Sequence, residues 1–571
     1  MCPNVPFWML CSRLTRASYL PAHSGFANLT LLKSAGSERN RCVPYQICSS
    51  ERYDMTQRPK RRGRKSPPQS VKPADAFSID PVFATRPGFG FLDADRLEFM
   101  QSRAFALLQD YGVMVVHPAA KAAFLKAGAK EGAEAGRIRL PRELVEEALA
   151  ATPKTALFAG RKPEFDMQVP RPDAGFILRT GTGGHGYVDP RDASYRNMDV
   201  QAAREIAAVA NDLDQIGFIA HPFVHGVPEV TADIHAYAAI TANTHKHVWM
   251  QPYQKENIEY LMKIAAIAAG GEDVLRARPS TSVITCSFTP LEFKYMDTEV
   301  IIQAGQYGVP IHACSLPSAG GTAPLSVPSL ALMAAAEILG MMTMTHILAP
   351  GTPVIATPLM FALDMRTGSA LQSSVEAMQA ANMAIQLMKS FGMMTHTYGS
   401  GSDTPDADHQ SMAERAMLMQ NVALAGADIL GGVGQLECAT VFSPVQAVLD
   451  NEIGAMVRRF LRTPAIDDAS LNWDGMMQVA VGGHFLDSDH TVAQCRDQFI
   501  PTVFQRDGRD DYEKNDRRGA FEAARDAALA SIAGAPGGGM LDEDQTREIA
   551  ELAAKADEHI VRVYSGRVET I

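Results

Sequence analysis

The chain has no surplus of positive charge. Its 53 Lys and Arg are outnumbered by 64 Asp and Glu, and the formal net charge of -11 argues against a nucleic-acid partner, which would need a basic face. No run of eighteen or more uncharged apolar residues has transmembrane character, so no membrane partner is expected. Cysteine is sparse and scattered. Four of the eight, Cys2, Cys11, Cys42 and Cys48, fall in the first 54 residues, and Cys286, Cys314, Cys438 and Cys495 are too dispersed for a disulfide framework. A reducing, cytoplasmic setting fits that usage. What is present is a chain of 571 residues, 46% hydrophobic, enough to bury one large core or two modest ones.

The first segment differs in composition from the rest. It holds Arg and Ser but no acid before Glu38, and Met55 opens a plausible N-terminus followed by the basic run "PKRRGRK". Residues 1–78 are therefore expected to be a disordered extension, a targeting segment or sequence upstream of the true start. Residues 79–172 read as helical. "DADRLEFMQSRAFALLQDYGV" puts Leu97, Met100, Ala104, Leu107 and Leu108 on one stripe with Gly112 as its stop, and "LPRELVEEALAATP" is bracketed by Pro141 and Pro153. This region is expected to be a helical cap or collar.

After it the rhythm changes. Eight short β-rich runs recur, "GFILRTG", "IGFIAHP", "HVWMQPY", "TSVITC", "VPIHACS", "PVIATP", "MMTHTYG" and "ADILGGVG", separated by helix-capable stretches such as "DVQAAREIAAVANDL" and "VPSLALMAAAEILGMMTMTHIL". Strands alternating with helices imply parallel crossovers, and eight units predict an α/β (β/α)8 TIM barrel over 173–571, with a C-terminal helical extension. A doubly wound sheet is the alternative.

Barrel enzymes build their sites from the loops at the C-terminal ends of the strands. Those loops carry "GTGGHGYVDP" with His185 and Tyr187, then His221, Phe223 and His225, then Gln251 and Tyr253, then "SLPSAGGTAP", then Phe361 and Asp364. The seventh run ends at Tyr398 and leads into Asp403, Asp406, Asp408 and His409; the eighth leads into "GGVGQLEC". "GTGGHG" lacks the spacing of a dinucleotide fingerprint, which removes NAD from consideration.

"TGTGGHGYVDPRDASYRNMDV", "SLPSAGGTAPLSVPSLALMAAAEILG", "APGTPVI", "SGSDTPDADHQSMAER" and "LAGADILGGVGQLE" together resemble the trimethylamine methyltransferase family of corrinoid-dependent methyltransferases. The resemblance runs from about Asp80 to the C-terminus. It implies a TIM barrel and transfer of a methyl group from a methylated amine to cob(I)alamin on a separate small corrinoid protein. Archaeal trimethylamine enzymes of the family carry pyrrolysine, expected within residues 403–410; this chain has none, and the resemblance then points to quaternary amines such as glycine betaine.

A quaternary ammonium has no N–H to donate, so a site must hold it by cation-π contact and by carboxylates at modest distance. Tyr187, Phe223, Trp249, Tyr253, Phe288, Phe361, Tyr398 and Phe442 fall near strand ends and could wall such a cage; ordinary packing is the plain alternative for each. Of these, Tyr187, Phe223, Phe361 and Tyr398, with His185, are the candidate substrate-binding residues. Asp403, Asp408 and His409 are the candidate catalytic residues, with a helix N-cap at Asp408 as the structural alternative. Gly320, Gly321 and Gly432 could offer backbone N–H groups to a carboxylate or to the incoming corrinoid, or simply turn the chain. His312 and Cys314, with Cys286 and Cys438, suggest a zinc-thiolate methyltransferase as the alternative, although no metal is expected. "HKH" at 245–247 would place a zinc hydrolase site at the wrong end of its strand, and an osmolyte-binding module is a further alternative. Asp233 and His235 approach a cobalt-ligating Asp-x-His-x-x-Gly motif, but Ala238 stands where glycine is required. No tightly bound cofactor is expected, therefore, and the partners foreseen are the amine, the corrinoid protein and a second copy of the chain.

Overall fold

The computed structural model describes residues 88–535 and 539–568, all within one compact unit, Pro73–Ile571. The expected extension, with Met55, the basic run and the first four cysteines, lies outside the described residues, as does the start of the cap region.

Each of the eight β-rich runs forms a strand: β1 Ile177–Thr180, β2 Ile216–Ala220, β3 His247–Met250, β4 Thr281–Cys286, β5 Ile311–Ser315, β6 Val354–Pro358, β7 Met394–Tyr398 and β8 Ile429–Val433. They pair in chain order, all parallel, and β8 pairs back onto β1 to close the barrel. The strands are buried on both faces, which is why they read as near-continuous apolar runs. A helix follows each strand: α1 Val200–Asp212, α2 Ala232–Thr241, α3 Asn257–Ala269, α4 Tyr295–Tyr307, α5 Val327–Leu348, α6 Val375–Ser390, α7 His409–Leu424 and α8 Pro444–Phe460. The architecture is the expected (β/α)8 barrel.

α5 is long and apolar enough to cross a bilayer by length and composition. Here most of it is buried, with β5 and β6 on one side and the N-terminal helices on the other. At its centre the fully buried Glu337 accepts hydrogen bonds from the Ser287, Thr289 and Ser315 hydroxyls and the Leu291 N–H at 2.6–2.9 Å, fixing the loop after β4. After the barrel the chain continues in further helices. Its helix Glu543–Val568 packs on α3, and Asp557 meets His235 at 3.0 Å.

The region before the barrel holds the helices Ala94–Ala106, Pro118–Lys126 and Arg142–Ala151, with Met100, Ala104 and Leu108 buried on the foreseen stripe and Gly112 turning at φ +86°. It also holds short strands that the helical reading missed: Val113–Val115 and Arg137–Arg139 pair in one sheet, Ala156–Phe158 and Met167–Val169 in a hairpin. Three-residue strands are too short to show an alternation. The helices form a collar against α5 and α6, while the hairpin plugs the N-terminal end of the barrel. Phe158 stacks on His247 with ring centres 4.5 Å apart and meets Phe218 edge-on at 5.6 Å. The C-terminal end is left to the loops.

Candidate active site

The upper barrel interior is polar. Arg179, on β1, is fully buried, and its Nε donates to Nε2 of His396 on β7 at 2.9 Å and Nη1 to the Thr180 carbonyl at 2.7 Å. Its guanidinium lies 4.1 Å from the ring centre of Trp249 on β3. Burial holds the Arg179 pKa down at about 10, so it remains a cation at neutral pH, and burial together with that neighbouring charge holds His396 well below the usual imidazole range. Because His396 Nε2 accepts from Arg179, its proton sits on Nδ1. Gly431 makes room for the guanidinium: a Cβ there would stand 2.6 Å from Arg179 Cζ.

Two aromatic pairs stand at the strand ends. Phe223 and Tyr253 follow β2 and β3 with ring centres 5.5 Å apart, and His225 lies 5.2 Å from Phe223. Phe361 and Tyr398 follow β6 and end β7, 5.9 Å apart and near perpendicular. His221 is buried and neutral, its pKa pushed down to about 4 by burial, with Nε2 accepting the Gln251 N–H at 2.9 Å.

Several buried polar atoms at this end have no hydrogen-bond partner among the described residues: Arg179 Nη2, His396 Nδ1, Trp249 Nε1, both amide atoms of Gln372, the Ser400 and Ser402 hydroxyls and Gln435 Oε1. Buried polar groups are nearly always satisfied by protein, water or ligand, so this concentration makes the barrel end the candidate site. The loop after β8 adds strain. Glu437, Cys438 and Ala439 follow one another at φ of 47°, 50° and 71°, a left-handed turn that non-glycine residues adopt only when their surroundings impose it.

The structure also places the acids of the β7 loop. Asp403 Oδ1 and Oδ2 accept the Gln372 and Ser373 N–H groups at 2.8 and 3.0 Å, so this carboxylate ties the β7 loop to the loop after β6 and seats Gln372. Burial raises its pKa to about 6. Asp408 is the N-cap of α7, accepting the Ser411 N–H at 2.8 Å, and His409 is the exposed first residue of that helix. The three proposed catalytic residues therefore do not converge on one point.

Phe223, Phe361 and Tyr398 take part in the aromatic pairs, and Tyr187 does not. Its hydroxyl donates to Glu205 at 2.6 Å and Arg196 covers its ring at 4.5 Å, so both its polar tip and a face are engaged. His185 is half-buried, and burial, with His225 beside it, lowers its affinity for a proton. Gly320 and Gly321 donate to the Ala323 and Ser318 carbonyls at 3.0 Å each, so the turn itself uses the N–H groups foreseen for a ligand. Gly432, at φ +96°, is required because a Cβ would collide with the Ser400 carbonyl. His312 and Cys314 do point inward on β5, but His312 contacts the Ser282 and Thr357 hydroxyls, and among the described residues no three His, Cys, Asp or Glu gather as metal ligands. His247 faces the plugged end, as the strand position predicted.

Arg179, Gln372, His396 and Gln435 were not singled out for chemistry from sequence, and Trp249 was named only as a possible cage wall. The available signal was an arginine inside "GFILRTG", a strand otherwise apolar and so buried on both faces.

A parallel eight-stranded barrel whose C-terminal end gathers aromatic pairs and unpartnered polar atoms has the makings of a small-molecule enzyme. A family model described as trimethylamine methyltransferase (MTTB) matches residues 58–560. The chain belongs to that family of corrinoid-dependent methyltransferases. It is 27% identical over 424 residues to trimethylamine methyltransferase MttB of Desulfitobacterium hafniense, covering 74% of this chain and 85% of that one. It is 25% identical over 434 residues to a glycine betaine methyltransferase of the same species, covering 75% and 89%. Among solved structures, the monomethylamine methyltransferase MtmB of Methanosarcina barkeri superposes with a TM-score of 0.48 at 12% identity, covering 81% of this chain and 91% of that one.

Proposed function

We propose that this enzyme takes a methyl group from a quaternary amine of the glycine betaine type and delivers it to the reduced cobalt of a corrinoid carried by a separate small protein. The observation that carries the reading is the pairing, at one barrel end, of aromatic faces suited to a cation without N–H groups with buried donors that have no partner among the described residues. In the transfer, the methyl C–N bond breaks and its electron pair stays on nitrogen, which leaves as a neutral tertiary amine. The cobalt supplies the pair for the new bond to carbon, and no proton has to reach the nitrogen. That suits a site whose candidate acid, Asp403, is committed to two backbone amides.

The chain's own residues bind and orient the methyl donor; the chemistry of the acceptor belongs to the corrinoid. The corrinoid is assigned to a partner because the nearest cobalt-ligating spacing is engaged elsewhere. Asp233 is buried and bonded to the Tyr253 N–H at 2.7 Å and Asn257 at 2.7 Å, and His235 is bonded to Asp557. The rim above the mouth is apolar and exposed, with Phe288, Leu325 and Met365 on the loops after β4, β5 and β6, a surface suited to a docking protein.

The test is demethylation of glycine betaine by purified enzyme with a reduced corrinoid protein. Methyl-cobalt formation is expected from glycine betaine and not from trimethylamine, and none without the corrinoid. Turnover in the absence of corrinoid, or trimethylamine as the better substrate, overturns the reading.

A further inference from the structure

We infer that Arg179, with His396 and Trp249, is an anchor for the carboxylate of the substrate, so that the enzyme selects amines in which the methylated nitrogen and an anionic group share one short molecule. The inference rests on the proposed methyl transfer and adds to it the group that chooses among quaternary amines.

Three observations lead there. Arg179 is a fully buried cation with no carboxylate paired to it among the described residues: its hydrogen bonds go to a neutral imidazole and a backbone carbonyl. A buried charge left without a counter-ion is costly, and an arginine is rarely kept that way unless an anion visits it. The second observation is the polarity of the unpartnered atoms. Arg179 Nη2, His396 Nδ1 and Trp249 Nε1 are all N–H donors, they belong to three side chains in mutual contact, and none has an acceptor among the described residues. Donors without acceptors around a cation call for an anion; a site meant for a simple ammonium ion would need acceptors instead.

The third is placement. Tyr398 belongs to the Phe361–Tyr398 aromatic pair and stands two residues after His396, the partner of Arg179, on the same face of β7, so the cation-binding faces and the anion anchor are neighbours. A ligand spanning them is short, with its ammonium against the rings and its carboxylate on the guanidinium. Gly431 keeps the guanidinium in place, since any side chain there would occupy its position.

The test compares ligands of equal cationic character. In the parent enzyme, glycine betaine should bind about 100-fold more tightly than its uncharged methyl ester or choline, by calorimetry, the scale of a charged hydrogen-bonded contact. Arg179→Met should reduce that preference to a few-fold while leaving choline affinity within a few-fold of the parent, and Arg179→Lys should restore part of it. If Arg179→Met does not fold, the parent's discrimination between betaine and ester stands as the measurement. Equal binding of acid and ester overturns the anchor, as does a folded Arg179→Met that keeps the preference. Methyl transfer from choline or tetramethylammonium at the betaine rate sinks the anchor alone, whereas absence of corrinoid-dependent transfer from every quaternary amine sinks the underlying function.

Discussion

Asp403 and Asp408 stand five residues apart and do different work. Asp408 caps α7, and removing such a cap costs about 1 kcal/mol. Asp408→Ala should therefore lower the unfolding free energy, measured by chemical denaturation, by about that amount, with betaine affinity unchanged; a loss of affinity without a loss of stability would return Asp408 to the site. Asp403 is held by two amides, yet burial outweighs them and lifts its pKa to about 6 from an ordinary value near 4. A carboxyl raised in the folded state adds stability that is fully present below the unfolded pKa and is lost as the pH rises through 6. Compared with Asp403→Asn, which cannot ionise, the parent should gain melting temperature as the pH falls from 7 to 4. A difference that stays flat across that range would show that Asp403 does not titrate there. The cluster was visible in sequence, but its division of labour was not, because only the fold decides which backbone amides a carboxylate meets. The same holds for Arg179: the residue stood in plain view within a strand, and its partners lie on β3 and β7, roughly 70 and 217 positions on.

At the scale of elements, the strands were legible because a parallel strand buried on both faces must be apolar throughout, and the helices because caps and periodicity mark them. The two-residue rim strands Ser318–Ala319 and Ala370–Leu371 were not, since they take their shape from their neighbour Phe361–Leu363. What joins α7, α8 and the loop after β8 is a buried ion pair. Arg415 Nη1 donates to Asp450 Oδ2 at 2.6 Å, Arg415 Nη2 to the Gln435 carbonyl, and Asp450 Oδ2 also accepts the Gly434 N–H at 2.7 Å. Both side chains are fully buried. Removing one partner leaves an uncompensated buried charge, so Asp450→Ala should destabilise the protein by about 3–5 kcal/mol, measured by chemical denaturation. Because Gln435 and the strained 437–439 turn follow directly, betaine binding should weaken as well. A loss under 1 kcal/mol would mean that the loop holds its shape without this pair.

For the whole molecule, the two ends of the barrel are built for opposite purposes. The N-terminal end is closed by the Phe158 hairpin, which leaves the C-terminal end for the candidate site and, in the proposed function, for the partner that receives the methyl group. Gly320 brings two rim residues together there: a Cβ on it would stand 3.0 Å from Met365 Sδ and 3.3 Å from Leu325 Cδ1. These side chains are 68% and 59% exposed, so they contribute little to the core, and as apolar groups beside the mouth they suit a docking contact. Leu325→Glu and Met365→Glu should each leave the melting temperature and betaine affinity close to the parent's, because exposed positions rarely shift stability by more than about 0.5 kcal/mol. Each should raise the concentration of corrinoid protein needed for half-maximal transfer by about 10-fold or more, the loss expected when a charge enters an apolar contact. Titrating corrinoid protein at saturating betaine separates the two effects, since a defect in docking disappears at high partner concentration and a defect in chemistry does not. If both variants transfer methyl groups at the parental rate across that titration, the partner does not use this rim, and the docking surface has to be sought elsewhere on the face of the barrel.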